Sequence, residues 1–581
     1  MVRSMTDEGT VEGGLAEPEA LQPDQGSLAL LLPGDDHVVA DWERAAAGVL
    51  RKARRLRDDD PDSAVWDRLT RTTLDGIDVR PLGTPALLQG ASTAGRPARS
   101  GPWDVRVEVS GDAAVANEDA LAELHGGASS LWVRTGPGAD LPAVLDGVLL
   151  DLAPVVLDDP ADPLGTARAF LDHLGDTAPA AGTNLGIPAT AADDVLVAGA
   201  DLARTTGVLG LVVDATRVHD RGASDAQELG WSMHAAARVL RVLEGAGVPV
   251  EVAAGLIEFR YAATDEQFPT IAKLRAARRL WTRLLALSDA GPLAQYQHAV
   301  TSRPMMSRYD PWVNMLRTTV AAFSAGVGGA DALTVVPFDS PLGRPDRFGR
   351  RIARNTSAVL VSESHVARVT DPAGGSFAVE RLTHDLCLAA WEVLGALEEG
   401  ESLDERIADT VLRRDLAVAT RRRPITGLTE FPHPGEALPV REPDPHAPDV
   451  RRYGAPFEAL RDEPAERPVF LATLGTVAAF TPRAGFATNL LAAGGVPVTP
   501  AGPTEDPDDL VAAYDGQPVV CLAGADAAYA AWGADAVAAL RSAGARHVVV
   551  AGKADGLGAD DACALGVDAL AFLHRTREAL R

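Results

Sequence analysis

Apolar and polar positions follow two different periods along this chain, and the switches between them outline its architecture. Short β-rich runs recur at DVRVEV (104–109), SLWVR (130–134), VVLD (155–158), VLGLVVDAT (208–216), VEVAAG (250–255) and LTVVPFD (333–339). Between them lie stretches with helical spacing, such as AVANEDALAELH and SDAQELGWSMHAAARVLRVLEGAG. Strands that alternate with amphipathic helices imply a parallel sheet with crossover helices. Over residues 72–420 the pattern predicts an α/β fold, a TIM (β/α)8 barrel, with an open doubly wound sheet as the alternative. No Gly-rich dinucleotide fingerprint follows an early strand, which counts against a Rossmann oxidoreductase.

The flanking regions read differently. Residues 1–35 are rich in Gly, Glu and Pro with little periodicity, and are expected to form a disordered N-terminal arm. Residues 36–71 contain DWERAAAGVLRKARRLR (41–57), a helical segment expected to face a partner. Residues 421–466, rich in Pro, Arg and Asp, read as a linker. From 467 to 581 the αβ rhythm resumes, with VFLATLG, VPVTPA, PVVCLAG, HVVVAG and ALAFL as candidate strands. A flavodoxin-like sheet of this kind places its ligand site at the C-terminal ends of the first strands. Yet the expected loop after Gly475 holds Thr476, Val477, Ala478, Ala479 and Phe480, with no carboxylate, imidazole or thiol to hold a metal.

Composition narrows the classes of function. A chain of 581 residues, 46% hydrophobic and 23% charged, suits a soluble protein of two or three domains. A net charge of −27 argues against binding nucleic acid through its phosphates. Cys387, Cys521 and Cys563 are far apart and form no CxxC pair, so a zinc ribbon or disulfide scaffold is excluded and a reducing compartment is expected. The start has no apolar signal segment and no run approaches a membrane span, so a cytoplasmic protein is expected. Lysine occurs only at Lys52, Lys273 and Lys553, none well placed for Schiff-base chemistry. Arg344, Arg347, Arg350, Arg351 and Arg354 form a basic cluster that fits either an acidic ligand or a solvated helix face. Gly374 and Gly375 in DPAGGSF suit a tight turn more than a phosphate cradle, and Met305 and Met306 suit core filling.

Longer blocks carry a resemblance. RPMMSRYDPWVNMLRTTVAAFSAGVGGADALTVVPFD (303–339), RRIARNTSAVLVSESHVARVTDPAGGSF (350–377), TTLDGIDVRPLGTP (72–85) and RPITGLTEFP (423–432) resemble the methylmalonyl-CoA mutase family. Within it they are most similar to the small (beta) subunits of the heterodimeric bacterial form. The resemblance implies a TIM barrel, a linker and a C-terminal domain of cobalamin-binding type. The family's catalytic chains use adenosylcobalamin to interconvert methylmalonyl-CoA and succinyl-CoA by radicals, holding cobalt through the histidine of a DxHxxG loop.

Carried over residue by residue, the functional positions of that family are lost here. The Asp of DxHxxG falls on Val477, its His on Ala479, and a preceding lysine on Thr473. The only histidines of the C-terminal domain, His547 and His574, are not expected near the site. In the barrel, two tyrosine positions fall on Gly83 and Glu108, and a catalytic histidine on Arg217, with His219, three residues before Gly222, as a shifted candidate. The resemblance therefore implies a noncatalytic subunit with no catalytic, cofactor-binding or metal-binding residues of its own. Adenosylcobalamin is expected on a large (alpha) partner subunit, wrapped by the N-terminal arm and the linker. The alternative is an acyl-CoA mutase that is itself active through atypical ligands such as His219 and His547. Leu131, Trp132, Leu211 and Phe338 suggest that the barrel is filled, although their directions are not legible in the sequence.

Overall fold

The computed structural model describes residues 36–581 apart from 94, 137, 554 and 555, so the reading of 1–35 as a disordered arm lies outside the described residues. The chain divides into two compact units, one ending at Arg71 and one beginning at Thr72. In the first, helix α1 (Val39–Lys52) buries Ala47 and Leu50 against Leu56 and Val65. Trp42 and Trp66 meet at 4.6 Å, and the Trp66 indole donates to Glu43 at 2.6 Å.

The second unit opens with a closed barrel of eight parallel strands: β1 (Asp104–Ser110), β2 (Ser130–Arg134), β3 (Val155–Asp158), β4 (Asn184–Pro188), β5 (Leu209–Asp214), β6 (Ile257–Ala263), β7 (Tyr296–Thr301) and β8 (Ala332–Thr334). The helices used below are α2 (Ala113–His125), α3 (Thr216–Asp220), α4 (Asp225–Gly245), α5 (Gln267–Leu287), α6 (Val313–Gly328), α7 (Arg347–Ala358) and α8 (Phe377–Glu398). The barrel closes between β8 and β1, which rules out the open doubly wound sheet. That closing pair is short: its register consists of Ala332 with Asp104 and Leu333 with Val105. Outward-facing residues supply the apolar core, for example Phe259 of β6 against Trp281 of α5 at 4.9 Å.

One strand expectation fails in the barrel. VEVAAG is a helical turn over Val250–Ala254, entered from Pro249 and closed at Gly255. The strand begins two residues later, at Ile257. A six-residue apolar run flanked by Pro and Gly has no period long enough to separate strand from helix. LTVVPFD contributes only its first residues to β8 before the chain turns away.

The C-terminal part of this unit is a five-stranded parallel sheet made of β9 (Val469–Leu474), β10 (Val498–Pro500), β11 (Val519–Gly524), β12 (His547–Ala551) and β13 (Asp561–Cys563). Its order, β10-β9-β11-β12-β13, is the flavodoxin arrangement. ALAFL is not its fifth strand: it starts the last helix, Ala569–Leu580, where the Asp568 side chain accepts from the Ala571 N–H and caps the first turn. Ahead of the sheet, a short helix over Ala455–Asp462 lies within the stretch read as linker.

Candidate functional site

The interior of the barrel is built from charge. Along the strands, inward positions carry ionic side chains where aliphatic ones would fill a closed barrel. In the lowest layer, Arg106 of β1 reaches Glu258 of β6 at 3.0 Å, with both side chains fully buried. It also holds Asp104 at 3.0 Å and Ser130 at 3.1 Å. In the middle layer, Arg260 of β6 pairs with Asp214 at 2.9 Å and donates to Nδ1 of His298 at 3.1 Å. Its guanidinium lies 4.1 Å from the ring of Trp132, whose indole donates to Asp158 at 3.1 Å. His298 bonds Thr334 at 2.8 Å. In the upper layer, Glu108 takes Arg134 at 2.7 Å and Arg303 at 3.3 Å, and Arg217 meets Asp158 at 3.3 Å. Neither β1 nor β2 neighbours β6, so these contacts cross the barrel and close its axis.

The same network fixes the protonation states. Burial works against the Glu258 carboxylate, but Arg106, His298 and Arg260 outweigh it and hold the acid well below the usual range. Burial also opposes ionisation of Asp214, yet Arg260 and Arg217 bring it down to about 2. His298 is pushed down to about 4, first by burial and then by the Arg106 charge. None of these three groups is poised for proton transfer near neutrality. The consequence for stability has a definite sign. The folded His298 has a lower pKa than the unfolded value of about 6.5, so its stability is complete above that pH and is lost as pH falls towards 4. Denaturant unfolding of wild type and His298→Gln, compared from pH 7 to pH 4, should show the stability difference falling by roughly 3 kcal/mol. A difference that stays flat across the window would contradict a buried neutral imidazole.

The residues singled out in the sequence fall into place around this lattice. Gly83 packs against the start of α8, and a Cβ there would lie 3.0 Å from the Ala378 backbone nitrogen, a tight contact for any larger side chain. Glu108 and Arg217 are both spent in ion pairs. His219 of α3 is buried, with Nε2 on Ser302 at 2.7 Å and Nδ1 3.4 Å from Glu228. Of the four bulky residues suspected of filling the barrel, Trp132 does so. Leu131 faces the outer core, Leu211 is buried in that core, and Phe338 lies beyond β8 against Trp312 at 5.1 Å. Lys273 is buried between Asp225 at 2.9 Å and Glu228 at 2.7 Å. Burial opposes its charge, but those carboxylates raise its pKa and keep it an ammonium, unsuited to Schiff-base chemistry. The Gly375 N–H is bonded to Glu380 at 3.0 Å, so the DPAGGSF turn is tied internally. Met305 and Met306 are core residues.

The C-terminal sheet is also closed at its ligand end. β9 stops at Leu474, Gly475 turns the chain at φ +90, and helix α9 (Val477–Ala493) starts at once. The expected loop is thus its first helical turn, with Val477 exposed. Val477 and Ala479 have no lone pair, Thr473 donates its hydroxyl to the Gly502 carbonyl, His547 opens β12 at the opposite end of the sheet, and His574 is exposed. Arg483 of α9 spans the space above the strand ends. It donates to the Gly524 carbonyl at 2.6 Å, pairs with Asp526 and lies 4.9 Å from the Tyr529 ring. The Tyr529 hydroxyl accepts from the Gly524 N–H at 3.1 Å and lies within reach of the Leu522 and Ala551 carbonyls. The residues present do not fit an axial ligand to cobalt at this loop. Among the described residues, no group of three or more His, Cys, Asp or Glu side chains is placed to hold a metal.

Sequence reasoning missed Arg106, Glu258, Arg260, His298, Arg483 and Tyr529. The available signal was the charge at alternate positions of IEFRYAA. No described helix is long and apolar enough to cross a membrane.

The second unit is thus a TIM barrel joined to a flavodoxin-type sheet, with an arginine–carboxylate lattice in the first and a capped ligand end in the second. The family profile described as methylmalonyl-CoA mutase matches residues 205–481. The chain is 43% identical to "Methylmalonyl-CoA mutase small subunit" of Streptomyces virginiae, over 95% of this chain and 98% of that one. It is 39% identical to "Probable methylmalonyl-CoA mutase small subunit" of Mycobacterium bovis, over 90% and 94% of the two chains. It is 34% identical to "Methylmalonyl-CoA mutase small subunit" of Propionibacterium freudenreichii subsp. shermanii, over 96% and 95%. The chain belongs to the methylmalonyl-CoA mutase family, on its small-subunit branch.

Proposed function

We infer that this chain is the noncatalytic small subunit of an adenosylcobalamin-dependent methylmalonyl-CoA mutase, holding a catalytic large subunit that carries the cofactor and the radical chemistry. The observation that carries this reading is the ionic lattice across the barrel. An acyl-CoA entering along the barrel axis would meet Arg106, Glu258, Arg260 and Trp132, which occupy it. The C-terminal sheet points the same way, since nothing in the first turn of α9 can ligate cobalt. The alternative of an active chain using His219 and His547 has less support in the geometry, because His219 is engaged by Ser302 and Glu228 and His547 opens β12 at the end of the sheet opposite the first turn of α9.

A partner also accounts for an exposed apolar stripe. Trp312, Leu316 and Val320 recur every fourth residue at and along α6, with 51%, 68% and 37% exposure. Trp312 is linked through Phe338 to half-exposed Phe348. Contiguous apolar surface of this kind marks an interaction face. The test combines binding and turnover. The purified chain should leave the adenosylcobalamin spectrum unchanged and convert no methylmalonyl-CoA. Adding the large subunit should give succinyl-CoA formation, and Leu316→Glu should weaken assembly of the two chains by about tenfold or more, as burying an unpaired carboxylate demands. Stoichiometric cobalamin binding or turnover by this chain alone would overturn the reading.

A further inference from the structure

β1 runs on to Ser110, but its pairing with β8 ends at Val105. Above that point the barrel wall parts, and a cavity of about 570 Å³ occupies the seam, within the roughly 300–1,000 Å³ of small-molecule sites. It lies between β1, the chain after β8, α2 and α7, is bordered on the barrel side by Arg106, Glu108 and Arg303 of the ionic lattice, and is roofed by residues 444–452. Its floor is apolar. Val105 and Val107 face outward from a barrel strand and are still only half-buried, because α7 stands off them across the cavity.

The rim is cationic. Seven arginines and five carboxylates line the cavity, a positive excess in a chain of net charge −27. Three of the arginines come from the cluster visible in the sequence. Arg344 and Arg350 both hold Asp119, at 2.9 and 2.5 Å, and Arg354 holds Glu123 at 2.5 Å. Arg347 and Arg351 face solvent instead. Three guanidiniums thus share two carboxylates, and the buried Nε atoms of Arg350 and Arg354 have no hydrogen-bond partner. A buried donor left unmatched is costly unless something else meets it.

We propose that the seam cavity binds a small organic anion with an aliphatic body, its carboxylate or phosphate monoester held by Arg344, Arg350 and Arg354 and its chain laid along Val105 and Val107. An apolar floor beside a surplus of guanidinium groups selects for both features together. The partner-holding role does not require this site, so either can fail without the other.

The probes are decanoate, decyl phosphate and decanol, titrated calorimetrically into the full chain. One decanoate or decyl phosphate should bind per chain, and the tighter of the two identifies the headgroup class. Decanol, without charge, should bind at least about tenfold more weakly. Arg344→Ala removes a cation whose side chain is 31% exposed and leaves Asp119 paired with Arg350. Val107→Phe fills the floor and keeps every charge. Each variant that melts cooperatively should lose about tenfold in affinity for the preferred anion. Absence of saturable binding to wild type, decanol binding as tightly as the anions, or a folded variant with wild-type affinity would each overturn the proposal.

Discussion

Replacing Arg106 with Met should destabilise the chain by about 3–5 kcal/mol, the usual result of leaving a buried charge without its partner. Glu258, itself fully buried, would then face only His298 at 3.5 Å and Arg260 at 3.7 Å, and both of those are already committed to other groups. Arg106→Met combined with Glu258→Leu should recover much of the loss, because the desolvation of both ions disappears together. Denaturant unfolding of the two single variants and the double gives the coupling between them. A single Arg106→Met variant within about 1 kcal/mol of wild type would show that the lattice tolerates an orphaned carboxylate, contrary to its geometry.

Tyr529→Ala should cost a further class of interaction, about 3–5 kcal/mol, at the ligand end of the C-terminal sheet. The ring is buried, and its hydroxyl sits among the ends of three strand-end groups: the Gly524 N–H and the carbonyls of Leu522 and Ala551. Removing it opens the space under Arg483 and leaves the Gly524 N–H without an acceptor. Tyr529→Phe keeps the ring and should cost only about 1–3 kcal/mol, the penalty of the unmatched polar groups. Urea unfolding of both variants separates packing from hydrogen bonding. Equal losses for Phe and Ala would place the whole contribution in the hydroxyl and remove the argument that the ring fills the site.

Much of the fold was legible because its outer surfaces obey ordinary patterning. DVRVEV alternates, SLWVR is a short apolar run, and the long helices carry regular apolar faces, so parallel strands with crossover helices follow from period, while closure of the barrel does not. What escaped was the polar interior, and the same cause hid a strand. In β6, Ile257, Phe259 and Tyr261 turn outward to the helices while Glu258 and Arg260 turn inward, the reverse of what a search for apolar cores expects. Two charged residues interrupt this segment in the sequence, whereas the neighbouring VEVAAG has only one. At the C-terminal sheet, the lack of cobalt ligands could be read directly from Val477 and Ala479. That Arg483 and Tyr529 occupy the space could not, since they come from α9 and from the segment after β11 and meet only in the folded chain. The arginine cluster was half legible: its spacing was clear, but the sequence could not show that three members turn to α2 and two to water.

The lattice across the barrel also constrains how this chain can change over generations. Its charges are held in threes and fours, with Arg260 touching Asp214, Asp158, Trp132 and His298 at once. Any one substitution towards a small neutral side chain strands a buried ion before it opens any space. Reopening a passage along the axis would require several replacements to arrive together, each deleterious when it comes first. The barrel behaves as a ratchet: its outward apolar residues can exchange one at a time for others of similar size, while its filled axis resists opening by single steps.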